Sequence, residues 1–167
     1  ILQFSGVSQE QIVEAQLPQS ERKFPSISIE SFKPEVIVIA SSTGGPDALE
    51  KIFTSFSQSI RCPILIAQHM PPVFTKSLAN RLQRLTGIVA DEGKQWEEVV
   101  GNRIYVAPGD YHMRLQRDQN TVRIKLDQGP YRNSVRPAAD FLFESAADVY
   151  GSKCMGFILT GMGEDGA

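Results

Sequence analysis

Cysteine is nearly absent from this 167-residue chain: Cys62 and Cys154 are its two, far apart and outside any Cys-x-x-Cys spacing. That excludes a disulfide framework, and both thiols read as reduced core residues of a cytosolic protein. Histidine is equally scarce, so proton transfer near neutral pH has only His69 and His112 to draw on. Charge of one sign is lacking too. A formal net charge of -2 leaves no electrostatic footprint for nucleic acid or an anionic membrane. No apolar run approaches the roughly 18 residues of a membrane span. The first residues show no charged region, apolar core and cleavage site of a secretory signal. These absences set the expectation of a cytoplasmic protein without membrane insertion. What is present, 41% apolar and 22% charged residues, suits one globular domain with a real core.

Residues 1–34 carry Ser, Gln, Glu and Pro with scattered apolar residues and no sustained periodicity, and read as a linker or N-terminal arm. From Pro34 onward strand and helix patterns alternate. Val36–Ala40 and Pro63–Ala67 are short, wholly apolar strands, and Gly87–Ala90 begins a third. Leu49, Ile52, Phe53 and Phe56 follow helical spacing behind Pro46, as do Phe74, Leu78, Leu82 and Leu85. Arg103–Ala107 is a further strand. His112–Arg117 and Thr121–Asp127 alternate across a polar turn, which reads as a hairpin with one wet face. Arg136-Pro137 opens a helix that Gly151 ends, and Cys154–Thr160 is a last buried strand. Strands joined by helices of this length predict an α/β fold: a doubly wound, mostly parallel sheet flanked by helices, with an antiparallel hairpin.

Sites in such sheets form beyond the carboxyl ends of the strands. Ser42, His69 and Asp165 each fall just past the end of a different strand. Serine needs a base to take its proton during attack; histidine serves near neutral pH, and a carboxylate orients the ring. Ser41 competes with Ser42. Ala40 and Gly44 flank Ser42 at minus two and plus two, the small neighbours that a nucleophile on a tight strand-to-helix turn requires, whereas Ser41 would have Thr43 at plus two. The following helix N-terminus offers N–H groups to an oxyanion. His69 follows a buried strand, while His112 opens the hairpin. Glu164 and Asp110 are rival acids to Asp165. The plain alternatives are a Ser/Thr helix cap or a glycine turn that binds an anion, although no phosphate-loop or dinucleotide fingerprint is present. No histidine, carboxylate or cysteine spacing points to a metal, and no cofactor is implied.

Taken together, Ala-Ser-Ser-Thr-Gly-Gly-Pro at 40–46, Gln-His-Met-Pro-Pro at 68–72, Ala-Pro-Gly-Asp-x-His-Met at 107–113, Arg-Pro at 136–137 and Ile-Leu-Thr-Gly-Met-Gly-x-Asp-Gly at 158–166 resemble the catalytic domain of the bacterial chemotaxis receptor methylesterases, the CheB family. The resemblance covers about residues 35–167. It implies a hydrolase that removes methyl groups from glutamate methyl esters of methyl-accepting chemotaxis receptors and deamidates certain receptor glutamines. It implies a Ser42–His69–Asp165 triad, with Thr43 and the backbone around Met162 near the oxyanion. Arg132 and Arg136 are candidates to meet an acidic receptor helix. Full-length members place a phosphorylatable receiver domain before the linker, and the family continues into a further helix and strand beyond Asp165. The expectation is therefore a catalytic domain at 35–167 that is C-terminally truncated relative to the family.

Overall fold

A computed structural model describes residues 32–55, 60–161 and 165–166. Strand β1 (Val36–Ser41) leads through helix α1 (Gly45–Ser55) to β2 (Ile64–Gln68), and α2 (Phe74–Thr86) carries the chain to β3 (Val89–Glu92). Then come β4 (Arg103–Val106), the hairpin β5 (His112–Asp118) and β6 (Thr121–Asp127), α3 (Ala139–Tyr150), a 3-10 turn at Gly151–Lys153 and β7 (Cys154–Ile158). The arm expected at 1–34 lies, but for its last three residues, outside the described residues, as does Phe56.

The main sheet has the order β3-β4-β2-β1-β7, and every neighbouring pair is parallel. β1 is bonded on both edges and buried on both faces, which is why its sequence is a continuous apolar run rather than an alternating one. Side chains alternate between faces all the same. Ile37 and Ile39 join Leu49 and Phe53 of α1 and Leu78 and Leu82 of α2 in one core. Val36, Val38 and Ala40 join Leu142 and Ala146 of α3 and Met113, Leu115, Val122 and Ile124 of the hairpin in the other. Each such large side chain contributes about 1.5–3 kcal/mol by leaving water. The hairpin pairs antiparallel and buries alternate residues, leaving Gln116 and Lys125 exposed, as its pattern predicts.

From β1 the chain moves one way to β2 and ends on the other side at β7. Right-handed crossovers in opposite directions put their helices on opposite faces, so α1 and α2 lie across the sheet from α3. The carboxyl end of β1 is thus the point where strand order reverses, the place where such sheets open a crevice.

Two expectations are corrected. The third helix begins at Ala139 rather than at Arg136-Pro137: that peptide bond is cis, and Ala138 is still extended. β7 is not a buried strand. Among the described residues it is the outer edge of the sheet, and Phe157 and Ile158 are exposed.

Candidate active site

The register of β1 on β2 pairs Ser41 with Gln68, so Ser42 and His69 are the next residues out on adjoining strands. The ladder closes with the His69 N–H donating to the Ser41 carbonyl at 3.1 Å. On the other side the Ser42 N–H donates to the Thr160 carbonyl at 2.9 Å, tying β1 to the segment that follows β7. That approach needs a glycine next in line: a Cβ on Gly161 would lie 2.7 Å from that of Ser42. Ser42 therefore stands at the switch point, between the tips that follow β2 and β7.

The two serines are separated by their hydroxyls. Ser41 is buried, and its Oγ donates to Gln68 Oε1 at 2.6 Å. Ser42 is half-buried, and its Oγ makes no hydrogen bond among the described residues. Gly44, with φ of +75°, turns the chain sharply into α1.

His69 Nε2 and Asp165 Oδ2 are 2.7 Å apart. The same carboxylate accepts the backbone N–H groups of Ala139 at 2.5 Å and Asp140 at 3.1 Å, the first residues of α3, and the Asn133 amide at 3.3 Å. Burial by itself would raise the Asp165 carboxyl; the bonds from His69, Ala139 and Asp140 outweigh it and hold the group below the usual carboxylate range. A carboxylate on a helix N-terminus is favoured both by the unpaired N–H groups and by the helix dipole. With Nε2–H committed to Asp165, the ring presents Nδ1 as its remaining nitrogen.

The second histidine is used differently. His112 is fully buried; its Nε2 donates to the Pro130 carbonyl at 3.0 Å and its Nδ1 accepts the Ala138 N–H at 3.1 Å. Both ring nitrogens are thereby occupied in holding the 130–138 segment to the hairpin. Asp110 is bound to Arg136, whose other donors reach the Gln128 and Gly129 carbonyls at 3.0 and 2.8 Å. Arg132 is bound to Asp140 and Glu144 on α3. Thr43 is exposed, and its carbonyl accepts the Thr160 hydroxyl at 3.0 Å. Met162 and Glu164 lie outside the described residues. A cleft of about 500 Å³ opens beside His69, lined by Met70, Pro72, Asp110, Tyr131 and Arg136 among others.

Two residues were missed in the sequence. Gln68 is the lone polar residue of the buried strand Ile-Leu-Ile-Ala-Gln, a signal that was visible. Asn133 sits in an irregular segment with no pattern to single it out.

Among the described residues no helix is long and apolar enough to cross a membrane, and no group of three or more His, Cys, Asp or Glu side chains is placed to hold a metal ion.

In class, this is a doubly wound α/β protein with an imidazole–carboxylate pair at the carboxyl edge of its parallel sheet. The family model described as CheB methylesterase matches residues 37–167, and the chain belongs to that family. A relative in Archaeoglobus fulgidus named protein-glutamate methylesterase/protein-glutamine glutaminase is 47% identical over 131 residues, 78% of this chain and 38% of the relative. One in Caulobacter vibrioides, named protein-glutamate methylesterase/protein-glutamine glutaminase 2, is 49% identical over 133 residues, 79% of this chain and 38% of the relative. The crystal structure of the Thermotoga maritima CheB methylesterase catalytic domain matches with a TM-score of 0.77 at 44% identity, covering 80% of this chain and 71% of that one. The chain spans well under half the length of these curated relatives.

Proposed function

We propose that this chain is a cytoplasmic serine hydrolase that cleaves glutamate methyl esters, and deamidates particular glutamines, on methyl-accepting chemotaxis receptors. The observation that carries the reading is the His69–Asp165 contact beside the half-buried Ser42 on the adjoining strand end. Family membership and the names of the relatives supply the substrate class. Residues 35–167 form the catalytic domain in this reading, residues 1–34 a linker to a receiver domain.

Asp165 holds the Nε2–H tautomer of His69, which leaves the Nδ1 lone pair to take the Ser42 proton. Ser42 Oγ attacks the γ-ester carbonyl. Backbone N–H groups at Thr43, at the start of α1 and near Met162 receive the oxyanion. Collapse of the tetrahedral adduct breaks the ester C–O bond, and the His69 proton leaves with methanol. Water, activated by the same nitrogen, then hydrolyses the acyl-enzyme. With a glutamine substrate the C–N bond breaks and ammonia leaves. Arg132 and Arg136 enter this reading through the walls they hold around the cleft, since their charges already have partners on the protein.

A fluorophosphonate probe, followed by peptide mapping, together with methanol release from a receptor peptide carrying a glutamate methyl ester, tests the proposal. The label is expected on Ser42, and Ser42→Ala should lose about 10⁴-fold or more in rate, as other Ser-His-Asp sites do. A label on Ser41, or methanol release undiminished in Ser42→Ala, overturns it.

A further inference from the structure

We propose that Gln68 is a positioning residue for this reaction, its side-chain amide fixing the separation of the Ser42 and His69 backbones. The inference rests on the triad reading above. The main-chain ladder between β1 and β2 ends at the His69 N–H. One residue further the two strand ends are joined by a side chain instead: Gln68 Nε2 donates to the Ser42 carbonyl at 2.9 Å and to the His69 carbonyl at 3.2 Å. Its Oε1 accepts the Ser41 hydroxyl at 2.6 Å. A carbonyl only accepts and a hydroxyl can donate, so these partners fix which end of the amide is which. One buried group thus grips the backbones of the proposed nucleophile and base together.

Burial gives the arrangement its weight. Gln68 is 1% exposed and ends a strand otherwise built of Ile64, Leu65, Ile66 and Ala67. A polar group there costs free energy unless its bonds are made, and an apolar side chain of the same length would fill the space. The surroundings are built around the amide as well. A Cβ on Gly45 would run into Gln68 Oε1 and lie 2.9 Å from Ser41 Cβ, so the first turn of α1 leaves room for it. Beyond Gln68 the chain enters turns on both strands, where nothing repetitive holds residues 42 and 69 in register. Misplacing reacting groups by an ångström costs on the order of 10²-fold in rate.

The test compares Gln68→Met, Gln68→Asn and, as a stability control far from the site, Leu82→Ala in the buried face of α2. For each, kcat and KM are measured on the peptide methyl ester and the thermal midpoint is recorded. Gln68→Met should lower kcat by about 10- to 100-fold, with KM within about twofold, in keeping with misplaced reacting groups. Gln68→Asn keeps the amide but withdraws it by one methylene, and should fall in the same range; it gives the reading if Gln68→Met does not fold. Leu82→Ala should lower the midpoint without that fall in kcat. A kcat in the folded Gln68 variants equal to wild type, with wild type still labelled at Ser42, overturns the positioning role and leaves the triad standing. An equal fall in kcat for Leu82→Ala also overturns it, since general loosening would then suffice. Absence of label at Ser42 in wild type removes the triad reading, and this inference with it.

Discussion

Asp165 Oδ2 lies 2.7 Å from His69 Nε2 across 96 residues of chain, and the same oxygen accepts the Ala139 N–H at 2.5 Å. One carboxylate oxygen thus joins the tip of β2 to the N-terminus of α3. The imidazole and the helix share an anchor, so disturbance of either reaches the other.

Asp165→Asn should leave the fold in place and the proposed reaction crippled. The asparagine carbonyl can still accept from α3, but turning its amide nitrogen toward His69 would favour the opposite tautomer. A loss on the order of 10⁴ in kcat is the expectation for that error. Methanol release and circular dichroism on the same sample separate the two effects; full activity would count against Asp165 as the orienting acid.

The same carboxylate makes stability depend on pH in a definite direction. Its folded value lies below the ordinary one, so its contribution is fully present above about pH 4, the unfolded carboxylate value, and is lost as pH falls through the folded value. Asp91 and Asp127 are lowered as well, burial opposing and their lysine, arginine and backbone N–H partners prevailing. Urea unfolding of wild type and Asp165→Asn should therefore differ most above pH 4 and converge at lower pH. A gap that widens on acidification would contradict the assignment.

His112→Ala should destabilise the protein by about 2–5 kcal/mol. It leaves the buried Ala138 N–H without its partner, at about 1–3 kcal/mol, and opens a cavity besides, while the carbonyl of the exposed Pro130 turns to water. Because both ring nitrogens serve packing, the cooled variant that remains folded should still take the fluorophosphonate label. Denaturant titration and labelling give the two halves of this result.

Arg136→Lys should loosen the 128–136 segment. The guanidinium meets Asp110 and two backbone carbonyls at once and stacks on Tyr131 at 4.5 Å; an ammonium cannot reproduce that planar fork. Faster limited proteolysis between Gln128 and Arg136 is the expected readout, and an unchanged cleavage map would show that the segment is held by other means.

The central strands and α2 were legible because their signals are local. Val36–Ala40 is apolar without a break, and Leu78 and Leu82 repeat at helical spacing, so burial of both faces or of one follows from neighbouring residues alone. Small flanking residues single out Ser42 over Ser41 in the sequence, whereas the bond from the Ser41 hydroxyl to Gln68 is visible only in the structure. Arg136-Pro137 reads as a helix start because proline suits a first helical turn, but Ala138 after it is still extended and α3 begins only at Ala139. β7 reads as buried from its apolar content, but among the described residues it lies at the sheet edge, and an edge position is a property of the sheet and not of the strand. Nothing near Arg132 or Arg136 in sequence announces Glu144 or Asp110 as partners.

The amino-acid order by itself determined the elements, their alternation and the placing of a hydroxyl, an imidazole and a carboxylate just past three strand ends, because periodicity and turn chemistry act over a few residues. Tertiary structure alone decided that β1 lies between β2 and β7, that His69 rather than His112 meets a carboxylate, and that Gln68 spans the gap between two strand ends. Those outcomes depend on which distant segments close on one another to bury both faces of the sheet. No local pattern encodes that closure.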